Sequence, residues 1–260
     1  MIPKTCLHHG DCLDVLRSLP DASVDAVVTS PPYAQQRKKL YGGIAEKDYP
    51  SWTTEWMKAL RPALKPAGSV LINIREHVKD GQISDYVHRS RLAQREAGWY
   101  ETDELIWIKP SAPPVGHRDR PRRSWERILW FSQGSRPYCA PKTCGPSRMA
   151  LGGEAFSQWL MGKGSAGVAI EKSRCRDYVE IGVGCNTSTG HPAAYPVALP
   201  QWLLSFVAPP GGTVLDPFMG SGTTGVAAVK GGFNFIGVER AAQYFQISQA
   251  RIAAAQDSEV

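Results

Sequence analysis

The chain has 260 residues, 42% of them apolar and 21% charged, the proportions of a soluble globular protein with one large α/β domain, or one domain carrying an insertion. No apolar stretch reaches the length of a membrane span, and Met1-Ile2-Pro3-Lys4 lacks the apolar segment of a signal peptide, so a cytoplasmic protein without a membrane partner is expected. The net charge of +6 points to a polyanionic partner, and the six cysteines, with no Cys-x-x-Cys pair, indicate neither a zinc finger nor a redox motif and are expected to be free thiols.

Thr5 to His8 reads as a short strand, Gly10-Asp11 as a turn, and Cys12 to Leu19 as a helix with Asp11 at its N-cap. Val24 to Val28 is a buried strand that stops abruptly at Thr29-Ser30-Pro31-Pro32-Tyr33. Residues Tyr33 to Pro50 carry Arg37-Lys38-Lys39 and Gly42-Gly43 and read as a loop. A helix follows over Trp52 to Leu64, kinked or frayed at Pro62 and closed by Lys65 to Gly68. Ser69 to Ile74 is a strand, Ile83 to Ala97 a helix, Glu104 to Ile108 a strand. Lys109 to Trp125 is rich in proline and arginine, including Arg118, Arg120, Arg122 and Arg123, and is expected to be irregular and exposed. Ile128 to Phe131 returns as a strand. Ser132 to Thr189 has weak periodicity and is either a small insertion or a set of loops with short helices such as Phe156 to Met161. The alternation then resumes with a helix at Pro200 to Val207, a strand at Thr213 to Leu215, a helix at Thr224 to Lys230, a strand at Phe233 to Val238 and a helix at Ala241 to Ala253.

Two stretches carry chemistry. Ser30-Pro31-Pro32-Tyr33 lies at the carboxyl end of a strand, where open α/β sheets place ligands. Its prolines lack backbone donors, so a serine oxygen and a neighbouring carbonyl are left to accept hydrogens from a planar amine while Tyr33 stacks on the attached ring; a simple strand-terminating turn is the alternative. Asp216-Pro217-Phe218-Met219-Gly220-Ser221-Gly222-Thr223 sits between a strand and a helix, and Glu239 ends the next strand, the pattern of a nucleotide-binding half with an acid positioned for ribose hydroxyls. Lys is absent after Gly222, which argues against nucleoside triphosphates. Gly225 falls where a dinucleotide site has its third glycine, but the Asp216 carboxylate suits a ligand with a cationic or amino-acid end better than a pyrophosphate.

Together these motifs resemble the DNA amino-methyltransferases that use S-adenosylmethionine. Ser-Pro-Pro-Tyr precedes the Gly-x-Gly motif by most of the chain, as in the beta class, and His191-Pro192-Ala193, Gly10-Asp11, Trp107-Ile108-Lys109 and Trp125-Glu126-Arg127 also resemble family segments. The resemblance implies a doubly wound, mostly parallel, seven-stranded α/β sheet of the class I methyltransferase type, circularly permuted. Residues 1–132 would form the catalytic half, 133–189 a loop-rich target-recognition insertion and 190–260 the S-adenosylmethionine-binding half. It also implies roles: Ser30, Pro31, Pro32 and Tyr33 hold the target amine; Asp216, Pro217, Phe218, Gly220, Ser221, Gly222 and Thr223 enclose the cofactor; Glu239 binds its ribose; Asp11, unless it is only an N-cap, meets the adenine; and His191, Pro192 and Ala193 line the same pocket.

The implied activity is transfer of a methyl group to the N4 amine of cytosine in a base flipped from double-stranded DNA. Serine ahead of Pro-Pro-Tyr resembles the cytosine enzymes, and aspartate there the adenine-N6 enzymes. Arg37, Lys38, Lys39, Arg118, Arg120, Arg122 and Arg123 are the candidate DNA contacts. Methylation at ring carbon is excluded because neither Cys139 nor Cys144 has the setting of a nucleophile. An adenine-N6 enzyme, an RNA or protein methyltransferase and an inactive DNA-binding homologue are the alternatives. A monomer or homodimer, and a cognate restriction endonuclease, are compatible with the resemblance.

Overall fold

The computed structural model describes residues 3–35, 43–110, 120–141, 174–183 and 195–257. The chain opens with β1 (Thr5–His9), α1 (Cys12–Ser18) and β2 (Val24–Thr29), then α2 (Tyr49–Leu60) and β3 (Leu64–Ile74). A hairpin of β4 (Val78–Lys79) and β5 (Gln82–Ile83) leads to α3 (Tyr86–Glu96), β6 (Tyr100–Ile108) and β7 (Trp125–Ser132). After β8 (Tyr178–Glu180) come α4 (Ala198–Val207), β9 (Thr213–Asp216), α5 (Thr223–Lys230), β10 (Asn234–Glu239) and α6 (Ala242–Asp257).

The main sheet has the order β1-β10-β9-β2-β3-β7-β6-β8. Its first five strands run parallel, β7 is antiparallel to both β3 and β6, and β8 is parallel to β6. Seven strands are those the βα alternation implied. The eighth, β8, lies within the stretch expected to be loops and joins at the far edge. All six residues of β2 are buried, as a strand covered on both faces requires. One face carries α4, α5 and α6 over Ala26, Val28, Leu71 and Val214. The other carries α1, α2 and α3 over Val27, Val70, Ile72 and Leu215. None of the described helices is long and apolar enough to cross a membrane.

Several boundaries differ from the sequence reading. α2 starts at Tyr49 because Pro50 falls in its first turn, where the missing N–H has no helical partner, and it stops before Pro62. Lys65 to Gly68 is not a helix terminus but part of β3: Leu64 pairs with Val24 and Ser69 with Ala26, so the extra residues, Pro66 among them, form an irregularity in the ladder. α3 begins at Tyr86 rather than Ile83. The preceding residues form the hairpin, whose Asp80-Gly81 turn has positive φ at both positions (49° and 77°), the two-residue form that Asp-Gly favours. Finally, β6 and β7 are each longer than expected, and Lys109, Ser124 and Trp125 belong to their shared end rather than to an exposed loop, with Lys109 N–H donating to the Ser124 carbonyl at 2.6 Å.

Candidate functional site

Because β1, β10, β9, β2 and β3 are parallel, their carboxyl ends share one edge of the sheet, and the antiparallel β7 begins there. Gly10, Glu239, Asp216, Ser30 and Glu126 are thereby gathered from five segments of the chain.

Ser30 and Tyr33 leave the end of β2 half-buried, with Pro31 buried between β2 and the turn. The Tyr33 hydroxyl donates to Glu126 Oε2 at 2.9 Å. Asn73 Nδ2, from β3, donates to the same Oε2 at 2.8 Å and lies 3.3 Å from the phenolic oxygen, while its Oδ1 has no partner among the described residues. Lys109, at the end of β6, pairs with Glu126 Oε1 and lies over the Trp107 ring at 4.3 Å. Burial, then the Glu126 charge, pushes the Tyr33 phenol well above its ordinary value, and a hydrogen bond from Ser30 acts the other way. Tyr33 is therefore a neutral phenol, held at its far end, with its ring fixed relative to Ser30. Arg75, next along from β3, is half-buried nearby; burial and Arg123 lower its pKa, and no hydrogen-bond acceptor engages its guanidinium among the described residues.

The Gly-x-Gly segment is held differently. Gly220 and Gly222 have φ of 51° and 80°, and a Cβ on Gly222 would come within 2.8 Å of Ser248 Cβ, so that turn needs glycine twice over. Glu239 accepts from the amides of Gly220 (3.0 Å) and Ala241 (2.7 Å), tying the turn to the end of β10. Arg251 of α6 donates to the Ser221 carbonyl (2.5 Å) and hydroxyl (3.0 Å) and reaches the Thr223 hydroxyl at 3.3 Å. The side chains of Ser221 and Thr223 are thus engaged from behind. What the turn offers a ligand is main chain. Phe218 is pinned by Trp52 and Trp56 of α2, with ring centroids 5.4 and 5.5 Å away.

Asp216 joins the two motifs. At 1% exposure it accepts from the hydroxyls of Thr29 and Thr224, each at 2.7 Å, and from the Phe218 amide at 3.0 Å. Thr29 directly precedes Ser30, so the end of β2 is bonded to the start of the Gly-x-Gly segment. Burial raises the Asp216 carboxyl from 3.8 to about 6, against the lowering effect of these donors. Tyr195 extends the network by bonding Thr224.

Asp11 caps α1, accepting from Leu13 N–H at 2.9 Å, and it stands exposed beside Gly10, where an added Cβ would meet nothing within 4 Å. The cap is therefore real, and open space adjoins it. Arg120 and Arg123 are used within the fold: Arg120 donates to the Gly81 carbonyl (2.5 Å), and Arg123 to the Glu76 carbonyl (2.6 Å) with its carboxylate 3.7 Å away. Arg120 thereby fastens this segment to the β4–β5 hairpin and Arg123 fastens it to Glu76, ahead of the hairpin, while Arg122 stands exposed between them. Arg37, Lys38, Lys39, Arg118, His191, Pro192 and Ala193 lie outside the described residues, as do Cys144, Cys185 and the helix expected at Phe156 to Met161. Cys6, Cys12, Cys139 and Cys175 are not joined in a disulfide among the described residues.

Thr29, Asn73, Arg75 and the Lys109–Glu126 pair lie at the candidate site, and sequence reasoning left them without a role. The family-like segments around Trp107 and Trp125 were the available signal for the pair. Nothing marked Asn73 or Arg75, because their importance depends on which strands end beside β2.

A family model described as DNA methylase matches residues 24–250. The type II methyltransferase M.PvuII of Proteus hauseri is 27% identical over 280 residues, spanning 94% of this chain and 82% of that protein. The solved PvuII DNA methyltransferase (cytosine-N4-specific) superposes with a TM-score of 0.75 at 24% identity, over 99% of this chain and 93% of the other, a likeness of fold. TTHA0409 of Thermus thermophilus, complexed with S-adenosyl-L-methionine, superposes with a TM-score of 0.64 at 25% identity, over 97% and 96% of the two chains.

Proposed function

The chain belongs to the DNA methylase family, and from that premise we propose that it methylates the N4 amine of cytosine in duplex DNA, with S-adenosylmethionine as the methyl donor. The observation that carries the reading is the Thr29–Asp216 hydrogen bond, which sets the amine-holding turn directly beside the Gly-x-Gly turn. The cytosine-N4 specificity of the PvuII enzyme and the ligand of TTHA0409 support the choice of base and donor.

The residues fit such a donor. The glycine-lined main chain of 220–223 is approachable, Glu239 stands at the end of β10 beside it, and open space adjoins Gly10 and Asp11. On this reading Gly220 to Thr223 hold the amino-acid part, Glu239 accepts the ribose hydroxyls and Asp11 meets the adenine, with His191, Pro192 and Ala193 lining the same pocket. Asp216 acts one step back, by fixing the turn. S-adenosylmethionine, when bound, supplies a methyl group activated by its sulfonium.

The rest is done by this chain. The base must leave the duplex, at a cost of about a few kcal/mol, and stacking on Tyr33 returns about 1–3 kcal/mol of that. The amine lone pair is delocalised into the cytosine ring and is a poor nucleophile. Ser30 Oγ and the Pro31 carbonyl each accept one amine hydrogen, which draws the nitrogen towards a tetrahedral geometry and aims its lone pair away from the ring plane. Most of the acceleration then comes from positioning and electrostatics. Arg122 and the basic residues of 37–39 and 118 serve the phosphates.

A competition experiment tests the substrate class. DNA, RNA and a protein extract are offered together with methyl-labelled S-adenosylmethionine. Label is expected in DNA; label confined to RNA or protein would overturn the reading.

A further inference from the structure

The carboxyl end of β3 carries a charge that the described fold leaves without a counter-ion. Arg75, directly after Ile74, is half-buried, and no described residue accepts a hydrogen bond from its guanidinium or pairs with it. The two nearby carboxylates are already engaged. Glu126, bonded to Asn73 two residues earlier on the same strand, gives Oε1 to Lys109 and Oε2 to the Tyr33 hydroxyl and Asn73 Nδ2. Glu76, the next residue along, is buried and faces Arg127 at 3.0 Å and Arg123 at 3.7 Å. Arginine keeps its proton at physiological pH, so the partial desolvation of Arg75 is a standing cost of the unliganded protein.

The backbone beneath this charge is fixed. The Tyr86 hydroxyl of α3 donates to the Arg75 carbonyl at 2.5 Å, and Arg123 donates to the Glu76 carbonyl at 2.6 Å. Arg123 thus brings a second guanidinium to the same short stretch. A half-buried cation with another cation beside it and no free carboxylate is the electrostatics of an anion site. Its position selects the anion. Asn73 meets the Tyr33 hydroxyl at 3.3 Å, so Arg75 follows at the rim of the pocket where the flipped base stacks on Tyr33. A flipped nucleotide stays joined to its strand by a phosphate on either side, and that backbone runs along the rim. The carboxylate of the methyl donor is the other anion of the reaction, but on the reading above it belongs to the Gly-x-Gly turn at β9, on the other side of β2.

We propose that Arg75 binds a backbone phosphate of the DNA next to the flipped nucleotide, with Arg123 adding positive field beside it. The inference rests on the methyl-transfer reading. Unlike Arg120 and Arg123, whose guanidinium groups hold carbonyls of the fold, Arg75 has its donors available for a ligand.

The test compares wild type, Arg75→Gln and Arg75→Lys on a duplex carrying the sequence that the wild type methylates in genomic DNA. Arg75→Gln should weaken DNA binding about tenfold and reduce the slope of log affinity against log salt by about 1, with affinity for S-adenosylmethionine within about twofold of wild type. Arg75→Lys, which keeps the charge, should recover the salt slope. Single phosphates around the target are then replaced by neutral methylphosphonate. One position next to the target nucleotide should cost the wild type about tenfold and cost Arg75→Gln nothing more. Because its side chain bonds no described residue, Arg75→Gln should melt no lower than wild type. Unchanged DNA affinity in Arg75→Gln, a lysine variant no better than glutamine, methylphosphonate costs that all persist in Arg75→Gln, or weak binding joined to a lower melting temperature would overturn the inference while leaving methyl transfer standing. A wild-type protein that methylates no DNA would overturn the parent reading, and this inference with it.

Discussion

The two turns that face each other across the sheet edge are secured by different means. Ser30 to Tyr33 is gripped by side chains of neighbouring strands that end in an ion pair: Asn73 from β3, Lys109 from β6 and Glu126 from β7. The Gly-x-Gly turn hangs from acceptors and a single arginine: Glu239 holds the amides, Asp216 the threonine hydroxyls, and Arg251 the Ser221 carbonyl. One turn offers a ligand specific side-chain atoms and a ring, the other its main chain. Damage to the first should therefore appear in the rate of the chemical step, and damage to the second in ligand affinity and stability. Asp216, bonded to both turns, should disturb both.

Ser30→Ala gives the sharpest separation. On the proposed reading it removes one acceptor for the amine without touching the glycine turn, so turnover should fall about 100- to 1,000-fold. Calorimetric titration with S-adenosylmethionine should give an unchanged affinity. A wild-type rate would remove Ser30 from the mechanism, and a weakened affinity would show that the two turns are not separable.

Asp216 breaks the separation from the other side, and its titration has a definite sign. Its folded pKa, about 6, lies above the ordinary 3.8, so the unfolded chain releases this proton first as pH rises. The group therefore favours the folded state below pH 4 and loses that contribution as pH rises through 6, by up to about 3 kcal/mol. Compared with Asp216→Asn, the wild type should gain relative stability when denaturation is followed from pH 7 down to pH 4. A difference between the two proteins that is flat with pH would contradict the burial argument. At pH 7 the same variant places an amide NH2 against hydroxyls that donate, which should cost about 2 kcal/mol of stability and weaken both cofactor affinity and turnover.

Asp11→Ala is the mildest test and settles a question the sequence posed. Losing the N-cap of α1 should cost about 1 kcal/mol, read as a lower melting temperature. If Asp11 also meets the adenine, affinity for S-adenosylmethionine falls about tenfold as well. A destabilised variant with intact affinity would leave Asp11 a cap and nothing more.

What could be read from the sequence was whatever is encoded locally. The buried valine strand, the prolines that stop it, the Gly-x-Gly turn and the acid ending β10 are each encoded within a few residues, and all fall at the expected places in the fold. The boundaries that moved did so because pairing partners intervened: Leu64 to Gly68 is strand because Val24 and Ala26 lie beside it, and Trp125 to Arg127 because Ile106 to Ile108 of β6 pair with them. The Asp80-Gly81 hairpin carried a local signal that the helical pattern around Ile83 masked. The anchors of Tyr33 were beyond local reading. Asn73, Lys109 and Glu126 lie 40, 76 and 93 positions further along the chain, and only the sheet order β2-β3-β7-β6 gathers them. The arginines of 120–123 show the converse: composition marked them as basic, and the fold commits Arg120 to the hairpin and Arg123 to Glu76.

The central claim concerns the base that the turn accepts. Purified protein should be incubated with unmethylated genomic DNA and methyl-labelled S-adenosylmethionine, and the DNA digested to nucleosides for mass spectrometry. The account predicts label in N4-methylcytosine. Label in N6-methyladenine would contradict it, leaving the architecture of the two turns in place and removing the meaning assigned to serine at position 30.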